Sequence, residues 1–496
     1  MNVSTAMELA LAIPFAGTIL ILLTGRWPNL RDTITVLTSA ALFWCVLQII
    51  ADVTAGGRPE VTLIEIFPGL PISLRAEPLG AVFAGIASLL WIATSFYAIG
   101  YMRGHHEENQ TRFFACFAIA IASAMGVALA ENMLTLFIAY EVLSVSTYPL
   151  VTHAGTPEAK RAGRIYLGIL LGTSIGFQLI AIGWTYALAG TLDFTEGGIL
   201  RDKASDGVFA LLTALYAFGI GKAALMPFHR WLPAAMVAPT PVSALLHAVA
   251  VVKAGVFSVV KVVVYILGID LLNMSGAGIW IAYVAAFTIL TASLVAMTKD
   301  NLKARLAYST VSQLSYIVLG AMLATTAGVV GGAMHIVMHA FGKITLFFCA
   351  GAIMVATHKT EISQMNGLGR RMPFTFIAFF IASLSIIGLP PLGGTWSKWQ
   401  LALGAADSGH VLLVATYMIS SVLNIAYLVP VAVRAFMPAP GADAPVGWKI
   451  EEAPMLCVVP LCLTALGSIL LFFLADDLYH FVLPIAGAIT GTEVVQ

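Results

Sequence analysis

Hydrophobic residues occur along the chain in long runs that short polar stretches separate. Each run extends over about 20 residues, the length a helix needs to cross a hydrocarbon core of about 30 Å. We predict about fourteen membrane spans, at roughly 6–24, 33–52, 79–101, 113–130, 133–151, 164–190, 208–226, 241–267, 276–297, 304–325, 328–356, 373–406 with a break, 409–433 and 454–475. A transmembrane barrel would show short alternating segments instead. The pattern predicts an all-α integral membrane protein in a lipid bilayer.

The basic residues predict how the spans are oriented. If the N-terminus lies outside, the inner loops hold most of the arginines and lysines, including Lys449 in the last long loop. The outer loops then hold only Arg58, Arg75, Arg201 and Lys203. The positive-inside rule therefore predicts a multi-pass protein of a bacterial inner membrane with both termini outside. The first span has no basic leader and no cleavage site, so we expect it to be retained.

Composition and loop lengths restrict the classes of function. Hydrophobic residues make up 59% of the chain and charged residues 10%, against roughly 25% charged in a soluble domain. The loops are too short for a soluble catalytic domain, and neither a phosphate-binding glycine loop nor a cysteine ligand motif occurs in the sequence. We expect no cofactor, no metal ion and no nucleic-acid partner. A gradient or a partner subunit must then drive the protein, which we expect not to be an enzyme by itself.

Ionisable residues inside the predicted spans are the main candidates for function. A charge at mid-bilayer costs roughly 2.5–3.5 kcal/mol, so a group of such charges is expected to have a use. At 1.5 Å of rise per residue, most of them fall in one layer near the midplane. They are Glu141, Lys222, His247, Lys253, His335, His339, Lys343 and Lys398. Depth makes a Glu141–Lys222 ion pair feasible, whereas Lys261 lies nearer a helix end and is expected to be structural.

His335, His339 and Lys343 follow one another at intervals of four residues, which places them on one helix face. Paired histidines can bind a metal, but a lysine one turn on and no nearby carboxylate argue against that. A haem held between histidines on facing helices is not excluded by the spacing. A proton relay or a polar core fits the residue types better, because burial brings histidine and lysine into proton exchange.

Prolines interrupt two of the predicted spans beside a deep lysine. Pro227 and Pro233 follow Lys222 in the seventh span, and Pro390 and Pro391 precede Lys398 in the twelfth. Broken backbone at membrane depth is tolerated where it is enclosed by protein or lines a wet cavity. Interrupted helices in two separate halves are typical of transporters with inverted repeats. We predict that these breaks open hydrated paths to the lysines, with simple kinks between packed helices as the alternative.

Several segments resemble the antiporter-like membrane subunits of respiratory complex I and of Mrp-type cation/proton antiporters. They are GKAALMPFHRWLPAAMVAPTPVSALLHAVAVVKAG at 221–255, IAYEVLSVSTYPL, DNLKARLAYSTVSQLSYIVLG, HIVMHAFGKITLFFCAGA and GLPPLGGTWSKW. The resemblance implies a fourteen-helix bundle with two inverted five-helix repeats and broken helices 7 and 12. It divides the chain into helices 1–3 at 1–110, the first repeat at 111–270, the second at 271–436, and helix 14 at 437–496. Without a long lateral helix after the last span, we expect a compact member.

The resemblance also implies roles for the buried residues. Glu141 would pair with Lys222, His247 and Lys253 would connect the halves, and His335, His339 and Lys343 would carry the proton to Lys398 at the exit. Ala234 stands where the family often has aspartate, so an acidic group near the inner mouth is missing, and Gly342 and Thr395 replace residues that are usually aromatic, which alters local packing.

The function that we predict is a proton-conducting subunit of a multisubunit Na⁺/H⁺ antiporter, similar to the D-type subunit of Mrp complexes. Its partners would be other membrane subunits. Na⁺ binding by this chain has little support, because a hard cation needs several oxygen ligands and Glu141 is the one deep carboxylate. Two alternatives remain: a proton-pumping subunit of complex I or a membrane-bound hydrogenase, and a structural subunit that conducts nothing.

Overall fold

A computed structural model describes residues 2–67, 69–438 and 450–489, so Lys449 lies outside the described residues. The helices are α1 (Val3–Leu23), α2 (Pro28–Thr54), α3 (Pro78–Gly104), α4 (Gln110–Ala128), α5 (Met133–Val151), α6 (Pro157–Thr173), α7 (Leu179–Ala189), α8 (Asp206–Gly219), α9 (Trp231–Ala234), α10 (Thr240–Ala244), α11 (Val251–Val262), α12 (Ile269–Ser275), α13 (Ile279–Thr298), α14 (Leu302–Met322), α15 (Thr326–Thr357), α16 (Pro373–Ile387), α17 (Gly394–Asp407), α18 (Val411–Phe436), α19 (Met455–Phe473) and α20 (Ala475–Val482). Every predicted span coincides largely with helix.

Within the described ranges, 11 helical segments are long and apolar enough to cross a membrane. Two of them are composite: Pro157–Ala189 joins α6 to α7, and Thr240–Leu267 joins α10 to α11. The interrupted spans fall outside this set because α8 and α16 are too short, and α14 is also outside it. The protein is therefore a multi-pass membrane protein, while fourteen crossings and inverted repeats stay predictions.

One element departs from the all-α prediction. The segment between α2 and α3, predicted as a loop, forms an antiparallel hairpin of β1 (Glu60–Phe67) and β2 (Leu70–Arg75). Arg75 and Glu60 pair across it at 2.7 Å. Valine, threonine and isoleucine favour a strand, but a short stretch with incomplete alternation is a weak signal beside the long apolar runs.

The interior of the bundle consists mainly of two long helical segments. Thr240–Leu267 is buried throughout, and α15 is buried over nearly all its length. The outer helices instead turn large apolar side chains outward, among them Leu23, Trp44 and Val422. Lipid solvates such a surface, so burial here separates protein-facing from lipid-facing helices. Five of the predicted relay residues lie on the two enclosed segments.

The first break contains Lys222 itself, whereas the prediction placed the break just after it. Helix α8 ends at Gly219, and Lys222 lies in a 3₁₀ turn at Gly221–Ala223. Pro227 has no N–H to donate, so no regular helix continues here. The Trp231 Nε1–H donates to the carbonyl of Gly221 at 3.0 Å and satisfies part of the exposed backbone. Pro233 lies within α9.

The second break separates α16 from α17, as the prolines predict. Helix α16 ends at Ile387, and α17 begins at Gly394, with Pro390 and Pro391 between them. Gly388 has a φ of 93°, a left-handed conformation that glycine adopts without strain. Lys398 therefore lies near the start of a new helix.

Three π-helical turns were not predicted, at Ser174–Gln178, Leu245–Val249 and Val263–Leu267. The second of them carries His247. Turns of this kind occur frequently at functional sites because they widen a helix locally. Periodicity in an apolar sequence does not reveal them.

Gly255 allows α11 to approach the first break closely. A Cβ at this position would overlap the backbone of Lys222 and Ala223, whereas Gly183 in α7 faces open space. We expect Gly255→Ala to lower the free energy of unfolding by about 1–3 kcal/mol, since overpacking displaces neighbours. Thermal unfolding of the purified protein measures this against the control Gly183→Ala. Equal melting temperatures for the two variants would contradict this account of the packing.

Candidate functional site

Lys222 is fully buried, and its ammonium group is held by helix α5. The Nζ donates to the carbonyl of Tyr140 at 2.8 Å and to the Ser144 hydroxyl at 2.5 Å. It also lies 3.1 Å from the centre of the Tyr140 ring, a cation–π arrangement. Neutral oxygens and a ring face therefore replace water around this lysine.

The predicted Glu141–Lys222 ion pair is not formed in this structure. Both carboxylate oxygens of Glu141 are buried, and neither has a hydrogen-bond partner among the described residues. The two groups remain within electrostatic range of each other. Lys222 turns instead to Tyr140 and Ser144, the neighbours of Glu141 on α5. The ammonium group of Lys222 is therefore hydrogen-bonded without the carboxylate.

Lys253 and His339 form a hydrogen bond between the two enclosed segments. Their Nζ and Nδ1 atoms are 2.7 Å apart, and both side chains are buried. Two fully protonated nitrogens cannot share a hydrogen bond, because neither then has a lone pair. The contact therefore requires that Lys253 Nζ or His339 Nδ1 carries a lone pair, as Nδ1 does in the imidazole tautomer protonated on Nε2.

His335 links α15 to α14 and α17. Its Nδ1 lies 2.9 Å from the Ser397 hydroxyl, and its Nε2 lies 3.1 Å from the Gln313 Oε1. Its ring centroid is 5.7 Å from that of His339 and 5.8 Å from that of Tyr316. Both nitrogens are engaged, and the ring lies between the contact at His339 and the second break.

Lys398 ends this series of groups at the second break. Its Nζ donates to the Ile387 carbonyl at 3.2 Å and to the Ser421 hydroxyl at 3.3 Å. The ammonium is 4.7 Å from the centre of the Tyr316 ring, which also stacks on His335. Like Lys222, this lysine is held by a backbone carbonyl, a hydroxyl and a tyrosine ring.

Lys343 turns away from the histidines with which it was predicted to form one stripe. Its Nζ donates to the Ser309 hydroxyl at 2.6 Å and to the Leu306 carbonyl at 3.3 Å. The Tyr427 hydroxyl donates to the same Ser309 oxygen at 2.9 Å. Lys343 therefore lies on a side branch toward α14 and α18.

His247 has neither of its ring nitrogens hydrogen-bonded to any described residue, although it is fully buried. Its ring packs 4.7 Å from that of Phe347. Buried polar groups are rarely left unpaired, so such a group calls for a functional explanation. The structure does not join His247 or Lys253 to Lys222 through a direct hydrogen bond.

Helix α14 supplies partners that the sequence reasoning missed. Ser309 accepts from Lys343, Gln313 contacts His335, and Tyr316 packs on both His335 and Lys398. These residues recur at three- or four-residue intervals and so share one face of the helix. The sequence carries this signal as a polar stripe in an otherwise apolar span, but a search for charged residues does not find uncharged ones.

Lys261 forms a buried ion pair with Glu77, and its structural role stays a prediction. Its Nζ lies 3.2 Å from the Glu77 Oε1 and donates to the carbonyl of Ala130 at 2.8 Å. Glu77 also accepts from the Tyr265 hydroxyl and caps α3 through the N–H groups of Leu79 and Gly80. The Lys261–Glu77 pair joins α11, the start of α3 and the connection after α4. Glu77 was not among the predicted residues because it lies just before the predicted span 79–101.

Comparison with known proteins identifies the family to which the chain belongs. The family described as "NADH:quinone oxidoreductase/Mrp antiporter, TM" matches residues 130–424, which include every candidate relay residue. The chain belongs to this antiporter family. It is an antiporter-like membrane subunit, as the resemblance of its motifs indicated.

Three similar proteins extend the match beyond those residues. The NADH-quinone oxidoreductase subunit N of Desulforudis audaxviator is 31% identical over 84% of this chain and 85% of its own. The NADH-quinone oxidoreductase subunit L of Mycobacterium tuberculosis is 30% identical over 97% of this chain and 77% of its own. A chain of the Mrp complex from Dietzia sp. DQ12-45-1b has a TM-score of 0.86 at 21% identity, covering 98% of this chain and 97% of its own. That last likeness concerns the fold alone.

The hydrogen bond from Lys222 to Ser144 leads to a prediction about stability. Ser144→Ala removes an acceptor from a buried ammonium group, so we expect the free energy of unfolding to fall by about 1–3 kcal/mol. Ser146→Ala is the matched control, because that hydroxyl bonds to the Leu143 carbonyl of its own helix. In a Lys222→Met background the Ser144→Ala loss should shrink below about 1 kcal/mol. An unchanged loss in that background, measured by thermal unfolding, would show that Ser144 matters for another reason.

Proposed function

We propose that this antiporter-like subunit conducts protons along the middle of the membrane, from the first break to the second. The observation that carries the proposal is the series Lys253, His339, His335 and Lys398, three buried basic groups and one half-buried lysine joined by one hydrogen bond, neighbouring imidazole rings and one tyrosine ring. Positive charges on neighbouring basic groups repel one another. Such a series therefore tends to share one proton that moves between its members rather than to bind several protons at once. Purely structural lysines would be expected to pair with carboxylates, as Lys261 does with Glu77.

The first half of the path begins at Glu141 and Lys222. With the ion pair open, the ammonium of Lys222 rests on Tyr140 and Ser144. When it turns toward Glu141, the carboxylate stabilises its charge, and when it turns back, that stabilisation is lost. The movement changes the tendency of Lys222 to release its proton without any large change in the backbone. Glu141 thus acts as the group that sets the charge state of Lys222.

The second half of the path runs through two histidines. A proton that reaches Lys253 crosses a hydrogen bond of 2.7 Å to His339. His339 Nε2 and Gln313 Nε2 are buried polar atoms without a hydrogen-bond partner among the described residues, and Gln313 also contacts His335 through its Oε1. A bridging water molecule is a suitable carrier for the step to His335, since it pairs with such groups at little cost. Ser397 and the Tyr316 ring then connect His335 with Lys398.

We propose membership of an Mrp-type Na⁺/H⁺ antiporter, in a role like that of its D-type subunit, in a bacterial cell membrane with both termini outside. The shared fold with a chain of the Dietzia Mrp complex supports this. The second candidate is a proton-pumping subunit of a redox complex, which the two NADH-quinone oxidoreductase relatives favour at 30% and 31% identity. The proposed relay would serve proton transport in either complex.

Replacing Lys398 by arginine tests conduction directly. Arginine keeps the positive charge but does not release its proton, so a structural role tolerates the change and a relay does not. We expect proton transport by the assembled complex to fall about 100-fold, the lower end of what one positioned proton-transfer group contributes. Fluorescence of a pH-sensitive dye in inverted vesicles gives the rate. Lys203→Arg in an exposed loop should transport normally, and normal transport by Lys398→Arg would favour the structural subunit.

Purification from native membranes separates the two complexes. A colourless assembly of membrane subunits is the result expected of an Mrp-type antiporter. Flavin or iron–sulfur absorbance in the co-purified material would instead assign the chain to a redox pump. The visible spectrum and the masses of the co-purified subunits together make this measurement.

A further inference from the structure

We infer that a cavity between α2, α3 and α20 binds one phosphatidylethanolamine molecule, whose headgroup is held by Arg58 and Asp477 and whose acyl chain runs along α3 at Gly85. The cavity lies at the end of the bundle that is predicted to face outward. The inference concerns a lipid site and does not depend on the proposed conduction of protons.

The walls of this cavity suit a hydrocarbon chain. Its volume is about 700 Å³, within the roughly 300–1,000 Å³ of sites that hold small organic molecules. Apolar side chains from four helices line it, including Ile50 of α2, Val82 of α3, Val337 of α15 and Phe481 of α20. Apolar walls of this kind offer few hydrogen-bond partners to water. The space is therefore better filled by hydrocarbon than by water.

Exposed apolar residues continue the cavity onto the outer surface of the bundle. Gly85 lines the cavity, and Leu89 follows one turn later on the same side of α3 with 38% of its surface exposed. On α2, Ile50 lines the cavity, and Leu47 one turn away is also 38% exposed. A chain that leaves the cavity thus passes onto a surface that membrane lipid solvates.

Gly85 keeps the path along α3 open. A Cβ at this position would meet the side chain of Ile50 at 3.0 Å, and no other described atom is close to it. Ala81, one turn earlier, also lines the cavity. Two small residues on one side of the helix leave a groove between α3 and α2. A large side chain at position 85 would fill that groove.

The length of the path matches one leaflet of a bilayer. Helix α3 begins at Pro78, which lines the cavity together with Arg58. A rise of 1.5 Å per residue places Leu89 about 16 Å further along the helix. Half of a hydrocarbon core of about 30 Å is about 15 Å. A lipid with its headgroup near Pro78 would therefore reach the middle of the membrane with its chain.

Two charged residues of opposite sign line the same cavity without pairing. The Nη1 atom of Arg58 donates to the carbonyls of Gly57 at 2.7 Å and Val53 at 3.4 Å. Arg58 forms no ion pair with any residue that the structure describes, and Asp477 has no basic partner there either. His480 also lines the cavity, but it pairs with Asp476 at 3.6 Å.

Other arginines at this end of the bundle do have acidic partners. Arg75 pairs with Glu60 at 2.7 Å, and Arg201 lies 3.8 Å from Asp270. The apolar cavity at the first break, which Pro227 helps to line, has no charged residue in its lining. Unpaired charges of both signs thus distinguish the cavity beside α20.

The two charges together indicate the headgroup. A guanidinium group binds the oxygens of a phosphate through paired hydrogen bonds. A carboxylate accepts hydrogen bonds from a primary ammonium group, which has three N–H donors. Phosphatidylethanolamine carries both groups, whereas phosphatidylglycerol has no ammonium group and the ammonium of phosphatidylcholine has no N–H. The pair Arg58 and Asp477 is therefore complementary to phosphatidylethanolamine.

A lipid in this position would also contact the central helix α15. Val337 lines the cavity and lies between His335 and His339 in the sequence. Two residues along a helix correspond to a rotation of about 200°, so Val337 faces away from both histidines. The acyl chain would therefore pack against the side of α15 opposite the histidines.

Photochemical cross-linking in the assembled complex tests the lipid site. The complex is reconstituted into vesicles that contain a phospholipid with a photoreactive acyl chain. One preparation carries an ethanolamine headgroup and the other, at the same mole fraction, a glycerol headgroup. After irradiation, mass spectrometry measures the fraction of α2 and α3 peptides that carry the lipid. The wild type is compared with Asp477→Asn, Gly85→Leu and the control Gly183→Leu, whose position on α7 faces open space.

In the wild type we expect the ethanolamine lipid to label these peptides about fivefold more than the glycerol lipid, the scale of one exposed ion pair. Asp477→Asn should remove this preference, because the ammonium group loses its acceptor. Gly85→Leu should abolish the labelling by either lipid, and Gly183→Leu should leave it unchanged.

Equal labelling of the wild type by the two lipids, or stronger labelling by the glycerol lipid, would overturn the assignment of the headgroup. Wild-type α2 and α3 peptides that carry neither lipid would show that a neighbouring subunit covers the groove. Labelling that survives in Gly85→Leu would place the lipid elsewhere on these helices. The comparison of two headgroups on the wild type needs no variant, so a folding defect cannot decide the outcome.

Discussion

The structure depends on holding several basic groups deep in an apolar protein with few carboxylates to balance them. Moving a bare ammonium ion into such a medium is costly, and a buried ion pair recovers that cost only with good geometry. The protein uses a carbonyl, a hydroxyl and an aromatic ring for Lys222 and again for Lys398. Neutral partners stabilise the charged form of the lysine without pairing it with an opposite charge. These lysines can therefore stay in the membrane, and in the proposed relay the same neutral partners would allow them to exchange protons.

The broken helices follow from the same requirement. A helix end leaves carbonyls without an intrahelical partner, and such a carbonyl can accept a hydrogen bond from a lysine. The interruption near Lys398 does this directly, because the carbonyl of Ile387 at the end of α16 accepts from its Nζ. Lys222 instead donates to the carbonyl of Tyr140 within the continuous helix α5. The proline signals in the sequence thus report where the backbone is reshaped around a charge.

Much of this architecture could be predicted from the sequence, because membrane spans and buried charges are strong signals. The span positions and the deep residues all fall in helix or in the breaks. Contacts between helices were harder. The ion pair of Glu141 with Lys222 was expected from depth alone, but depth does not decide between a carboxylate and its neighbours Tyr140 and Ser144. The turn of Lys343 toward Ser309 and the π turn at His247 depend on packing, which periodicity does not encode.

The polar face of α14 has a consequence for how the protein is made. Insertion into a bilayer favours segments that are apolar enough by themselves, and α14 is not among the described helices that meet this condition, nor are the short α8 and α16. Ser309, Gln313 and Tyr316 find their partners only after α15 and α17 have arrived. Helix α13, apolar and packed along α14, is synthesised just before it. Biogenesis is therefore expected to insert α13 and α14 together as a hairpin. The polar residues that surround the buried lysines and histidines would then also set the order in which the helices enter the membrane.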